Sequence, residues 1–185
     1  MGAAGLQALT PVLSVMPRLQ TLDISETDLG GSAAALQAVL QTTPSLAHLH
    51  GSSATLGMLG AASLAPVLQG MTCLQQLSLC HSDMRGGQNG VVAMLAFVLA
   101  ALPRLHTLDL SNTNMYEPEV VALAPLVAKA GSPLRALVMG NCFLYREGSK
   151  ALAKGLSASA QLQLQLQLCS LGLAGCRVDT VDWIA

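Results

Sequence analysis

The stretch "LHTLDLSNTNM" (Leu105–Met115) sets leucines at spacings of three and two, then a small residue and a final aliphatic one. Alternation around Leu108 and Leu110 reads as a short strand, and the Ser-Asn-Thr-Asn run behind it as a turn. The pattern returns five times. "LQTLDISETDL" starts at Leu19, "LAHLHGSSATL" at Leu46, "LQQLSLCHSDM" at Leu74, "LRALVMGNCFL" at Leu134 and "LCSLGLAGCRV" at Leu168. All six copies fit L-x-x-L-x-[aliphatic]-x-x-[small or Cys]-x-[aliphatic], with Gly51 the one lapse at the third anchor. The second anchors, Leu22, Leu49, Leu77, Leu108, Leu137 and Leu171, are 27, 28, 31, 29 and 34 residues apart. Such a period marks a stacked repeat protein.

Ala/Leu segments with helical spacing follow the strand motifs: 33–40, 60–68, 120–130 and 148–156, with 5–13 a fifth segment of the same kind. Pro11, Pro66 and Pro125 occupy one equivalent position, which predicts that those helices begin or bend near it. Pro17, Pro44, Pro103 and Pro133 close each helix ahead of the next strand. "GVVAMLAFVLAAL" (90–102) is too short to span a bilayer and reads as a buried helix.

The copy "LRALVMGNCFLYREGSKALAKGL" (134–156), with Asn141, Cys142, Leu144 and Gly148, resembles the leucine-rich repeats of the ribonuclease-inhibitor-like subfamily. Other copies are looser, with Ala33, Gln88 and Glu119 near the place of the glycine. The resemblance implies an α/β solenoid, a horseshoe of about six repeats with a parallel sheet on the concave face and helices on the convex face. One strand and one helix bury too little alone, so each unit needs neighbours. Residues 1–185 read as a single repeat domain. Solenoid ends require polar caps and none is evident, so the reading is a fragment, or a chain that is uncapped at both ends.

Composition narrows the function. Of 185 residues, 52% are hydrophobic, 10% charged and 3% aromatic, with a net charge of -1. That balance offers neither the basic surface nor the stacking platforms of nucleic-acid binding, and no attraction to an anionic membrane. "MGAAGL" lacks the Ser or Thr of a myristoylation signal at Leu6, and no secretory leader is evident. Cys73, Cys80, Cys142, Cys169 and Cys176 form no metal-ligand spacing, so no metal or other cofactor is expected. They suit the reduced thiols of a cytoplasmic or nuclear protein. Cys142, Cys176, Asp83, Asn114 and Asn141 are expected to serve turns. Two stretches break the period: the Gly-rich "MRGGQNG" (84–90), a loop, and "QLQLQLQLC" (161–169), which alternates like a strand. Trp183 belongs to a sixth helix, or is an anchor for a partner.

The residue between the last two aliphatics of each motif faces the inner surface. Down the copies it reads Asp23, His50, Ser78, Asp109, Val138 and Gly172. Two residues earlier the row is Thr21, His48, Gln76, Thr107, Ala136 and Ser170; one earlier still it is Gln20, Ala47, Gln75, His106, Arg135 and Cys169. Asp23, His50 and Ser78 together have the residue types of a hydrolase triad, and a His50–Asp23 pair would make binding sensitive to pH between about 5 and 8. But a flat row on parallel strands offers no oxyanion hole or nucleophile elbow, so the expectation is a non-enzyme. The partner-binding candidates are Gln20, Asp23, His48, His50, Gln76, Ser78, His106, Asp109 and Arg135. The expected function is a protein-interaction module that takes a partner protein on the concave sheet. Alternatives are a regulator resembling Ran GTPase-activating proteins, or the sensor repeats of a larger nucleotide-binding receptor, though this chain holds no P-loop.

Overall fold

The computed structural model describes residues 3–27, 33–53, 64–82, 91–129, 132–161 and 170–177. The irregular stretches 84–90 and 162–169, Asp83, Cys169 and Trp183 lie outside them. The elements in chain order are α1 (Ala3–Ser14), β1 (Thr21–Asp23), α2 (Ala33–Thr42), β2 (His48–His50), α3 (described over 64–68), β3 (Gln76–Ser78), α4 (Val91–Ala101), β4 (Thr107–Asp109), α5 (Glu117–Ala128), β5 (Ala136–Val138), α6 (Tyr145–Gln161) and β6 (Ser170–Gly172). The six strands form one open parallel sheet in chain order, β1 to β6. Every pairing sets equivalent leucines opposite one another: Leu22, Leu49, Leu77, Leu108, Leu137 and Leu171.

The second anchors of β2 to β5, together with the first and third anchors, form the strand side of the core. Leu46, Leu49, Leu74, Leu77, Leu79, Leu105, Leu108, Leu110, Leu134, Leu137 and Met139 are all buried, and Met115 closes the fourth repeat from behind. At Gly51 the neighbours fill the missing anchor's place: Leu79 Cδ2 and Ile24 Cγ1 stand 3.4 and 3.8 Å from where a Cβ would be. The helices lie on the other side of this core and pack in series, α1 on α2, α4 on α5 and α5 on α6. Gly148 and Gly155 let α6 approach α5 closely, because a Cβ at Gly148 would stand 3.1 Å from Val120 Cγ1 and one at Gly155 3.0 Å from the Ala124 carbonyl oxygen. Glu119 holds the position of Gly148 one repeat earlier. It is buried, and its carboxylate accepts a hydrogen bond from the Tyr116 amide at 3.1 Å, capping its own helix.

Two sequence expectations about the helices need correction. α1 and α5 run through Pro11 and Pro125, so of the two expected outcomes, a start or a bend at the proline, the start does not hold for these helices. All three equivalent prolines are exposed. α4 is buried on one face only: Leu95 and Leu99 face the sheet while Phe97 is 74% exposed. A helix on the outer layer of a two-layer repeat has only one side to bury.

After each strand the chain turns through an equivalent residue in the left-handed region, with Asn114 and Tyr145 a second such residue in the fourth and fifth repeats. The equivalent residues are Glu26, Ser53, His81, Asn112, Asn141 and Gly175, one in each of the six repeats. Each of the first five donates its amide to the next repeat, for example Glu26 to the Ser52 carbonyl at 2.8 Å and Asn112 to that of Gly140 at 2.7 Å. In repeats three to six the next position carries a small hydrogen-bond donor. Ser82 Oγ donates to the Gly51 carbonyl at 3.2 Å, Cys142 Sγ to that of Leu110 at 3.5 Å and Cys176 Sγ to that of Met139 at 2.9 Å, each tying a turn to the repeat before it. Thr113 Oγ1, at the same position, donates to Leu110 within its own repeat at 2.6 Å.

Truncating Leu108 removes a fully buried anchor from the middle of the sheet. Leu108→Ala should lower stability by about 2–5 kcal/mol in urea denaturation. Amide exchange should also speed up in β3 and β5, and a loss confined to β4 would contradict shared-interface stabilisation.

Candidate binding surface on the strand face

The register places six of the nine candidates, Asp23, His48, His50, Gln76, Ser78 and Asp109, on two neighbouring rows, and Gln20, His106 and Arg135 share a position just ahead of the strands. The central row is Asp23, His50, Ser78, Asp109, Val138 and Gly172, and the one beside it Thr21, His48, Gln76, Thr107, Ala136 and Ser170. The third row precedes the strands. Its backbone carries the ladder, with the Gln20 carbonyl accepting from the Ala47 and His48 amides and that of His106 from Arg135 and Ala136. Gln20, Asp23, Gln76 and Arg135 are exposed, and His48, His50, Ser78, His106 and Asp109 are half-buried. Strands about 4.8 Å apart therefore present mixed polar side chains as a continuous inner surface.

Asp23 and Asp109 have a local task that the sequence reading missed. Each carboxylate accepts the amide of the serine two residues on, Ser25 and Ser111, at 2.9 Å, which fixes the chain as it leaves the strand. Hydrogen bonds from Ser25, side chain first and then backbone, hold the Asp23 carboxyl below the usual carboxylate range, and the charge of His50 adds the weakest contribution. The possible His50–Asp23 pair has no direct hydrogen bond, and the Asp23 carboxylate accepts from the nearer Ser25. Nor does Ser78 bond His50: its hydroxyl meets Ser52 Oγ and Cys80 Sγ, each at 3.4 Å, while Ser52 Oγ and Cys80 Sγ are 2.9 Å apart. Asp23, His50 and Ser78 stand in a row without the hydrogen bonds that make a triad.

Serines below the row also work for their neighbours. Ser25 Oγ accepts the Ser52 amide at 3.2 Å and Ser111 Oγ that of Gly140 at 3.1 Å. Asn141 Nδ2 donates to Asn112 Oδ1 at 2.9 Å, and Asn112 Nδ2 lies 3.4 Å from His81 Nε2, so Asn141 bonds a side chain one repeat away instead of its own turn. Burial pushes the thiols of both Cys142 and Cys176 up, consistent with donors locked into turns. Among the described residues no group of three His, Cys, Asp or Glu side chains is placed to hold a metal ion, and no helix is long and apolar enough to cross a membrane.

A second feature, absent from the sequence reading, lies on the strand-to-helix edge of repeats four to six. Tyr116 and Phe143 stack with ring centroids 4.8 Å apart, Phe143 and Tyr145 with centroids 6.0 Å apart, and the Arg177 guanidinium lies 5.3 Å from the Phe143 centroid. Tyr116 and Tyr145 hold one repeat position and Phe143 and Arg177 another. Three of the five aromatics fall in so narrow a window of the repeat that alignment by period could have found them.

The fold has a structural counterpart. The tropomodulin C-terminal domain of Caenorhabditis elegans superposes with a TM-score of 0.59 at 9% identity, covering 85% of this chain and 94% of that one. An internalin from Listeria monocytogenes aligns at a TM-score of 0.30 and 14% identity, over 93% of this chain and 65% of that one. No protein-family model matches the sequence, and no curated protein matches it. Parallel strands in one open sheet, backed by helices and repeated with the leucine period, make this a leucine-rich-repeat solenoid.

Asp23 contributes stability that is present above its unfolded pKa near 3.9 and lost as pH falls through its lowered folded value. NMR titration should find it below that value and find Ser25→Ala raising it more than His50→Ala does. The reverse order would make the histidine its main partner.

Proposed function

We propose that the chain is a non-enzymatic protein-interaction module whose partner lies across the strand face. The observation that carries this reading is the register: equivalent positions from six strands form unbroken rows, polar throughout β1 to β4, and the exposed members Gln20, Gln76 and Arg135 stand on a surface held by main-chain bonds. Such rows suit an extended contact with a folded partner, because the backbone beneath is ordered before binding and little entropy is lost there. Asp23 and Asp109, tied to turns, would contribute charge rather than adaptable contacts.

The finer assignment is to the ribonuclease-inhibitor-like subfamily. Steps near 28 residues, the Asn141–Cys142 pair and the glycine that brings α6 onto α5 support it. The free thiols of Cys73, Cys80, Cys142 and Cys176 favour a reducing compartment, the cytoplasm or the nucleus. We read residues 1–185 as one repeat domain.

A photo-crosslinking amino acid at Gln76, compared with one at Val121 on the exposed helix side, tests the face. Capture of a protein from Gln76 alone is expected, and Gln76→Lys with Arg135→Glu should weaken binding of that protein about tenfold or more at unchanged helical circular dichroism. Equal capture from Val121, or undiminished binding by the double variant, would reject the strand face.

A further inference from the structure

Charge on this molecule is sorted by edge. All six carboxylates among the described residues stand where the chain leaves a strand. Asp23 and Asp109 end β1 and β4, Glu26 lies in the turn after β1, and Glu117, Glu119 and Glu147 belong to the first turns of α5 and α6. The opposite edge, where helices end and strands begin, has no carboxylate among the described residues and four basic side chains. Arg18 lies between α1 and β1, Arg104 between α4 and β4, and Lys129 and Arg135 between α5 and β5.

The two sets also differ in what occupies them. Asp23, Asp109, Glu117 and Glu119 accept backbone amides, and Glu147 meets Lys150 Nζ at 3.1 Å, so these acids serve turns and helix starts. Among the bases Lys129 has a comparable task, donating to the Ala100 carbonyl at the end of α4. Arg104 and Arg135 are exposed, and among the described residues neither guanidinium has a hydrogen bond or an ion pair. Neither sits in the last turn of a helix, where it would offset the helix dipole. The His106 carbonyl accepts the Arg135 amide at 2.8 Å, which sets Arg135 directly beside the repeat that carries Arg104.

We infer that an acidic segment of the partner protein runs along this strand-entry edge, its carboxylates paired with Arg104 and Arg135 and its far end at Arg18. The inference rests on the reading that a partner covers the strand face, and adds that partner's chemistry and orientation. β1 and β5 are four strand spacings apart, ~19 Å, and an extended chain rises about 3.3 Å per residue, so about six residues span the edge. A guanidinium suits the task because its planar fork takes a carboxylate through two parallel hydrogen bonds. The acidic edge repels the same segment, so the partner has one favoured way round.

Fluorescence anisotropy with labelled octaglutamate tests this, with an uncharged Gly-Ser octapeptide and octathymidylate as comparisons. Octaglutamate should bind the 185-residue chain saturably in dilute neutral buffer, the Gly-Ser peptide should not, and added salt should weaken the binding. Arg104→Glu with Arg135→Glu should weaken it about tenfold or more, and Arg104→Gln with Arg135→Gln by a smaller factor. Lys150→Glu with Lys154→Glu makes the same change of charge on exposed positions of α6 and should alter affinity less than about twofold. Variants are compared at wild-type circular dichroism, and the glutamine pair serves if charge reversal disturbs the fold. No binding of octaglutamate, an equal loss from the α6 pair, or tighter binding of octathymidylate would each overturn the inference. Such a failure is told apart from a failure of the strand-face reading, which is judged by capture at Gln76 and not by this peptide.

Discussion

Everything in this molecule hangs on one spacing. Strands bonded through the backbone lie about 4.8 Å apart, whereas packed helices lie 8–10 Å apart. A chain that alternates the two must bend toward its strands, putting the sheet inside and the helices outside. Each strand is only three residues long, so no strand carries much of the ladder by itself. What makes the sheet continuous is that Leu22, Leu49, Leu77, Leu108, Leu137 and Leu171 share one register while the polar residues on either side share two others. Core and candidate surface are the two faces of one ladder.

The turns after the strands carry a second regularity. Only the last of six equivalent left-handed positions is glycine; two are asparagine, and the others are Glu26, Ser53 and His81. A left-handed non-glycine residue is strained by about 1–2 kcal/mol. The strain persists because neighbouring repeats hold these turns: the amides of the first five bond the following repeat, and Ser82, Cys142 and Cys176, each beside one of the turn residues, bond the preceding one. Gly175 cannot be replaced in kind, since a Cβ there would fall 1.9 Å from Asn141 Oδ1.

Leucine periodicity made the fold legible, because burial at fixed intervals is what the period records. The inner rows followed with correct register, since alternation leaves each residue only two faces to choose from. Side-chain partners were harder to read. Asp23 and Asp109 look like surface charges until Asp-x-Ser is seen as a turn, and a contact two residues away outcompetes one across the sheet. The prolines left two outcomes open, a start or a bend, and the start fails at Pro11 and Pro125, where the helix continues through an exposed proline. The stack of Tyr116, Phe143 and Tyr145 spans two repeats, so no single copy of the motif reveals it.

The seam between α5 and α6 makes the solenoid mechanically uneven. Gly148 and Gly155 bring two helices to backbone range, and Glu117 reaches from the start of α5 to accept the Gly148 amide at 3.3 Å. Bending the solenoid requires neighbouring units to hinge, and units interlocked at that distance have little room to do so. The joint between the fourth and fifth units is accordingly one with little room to flex.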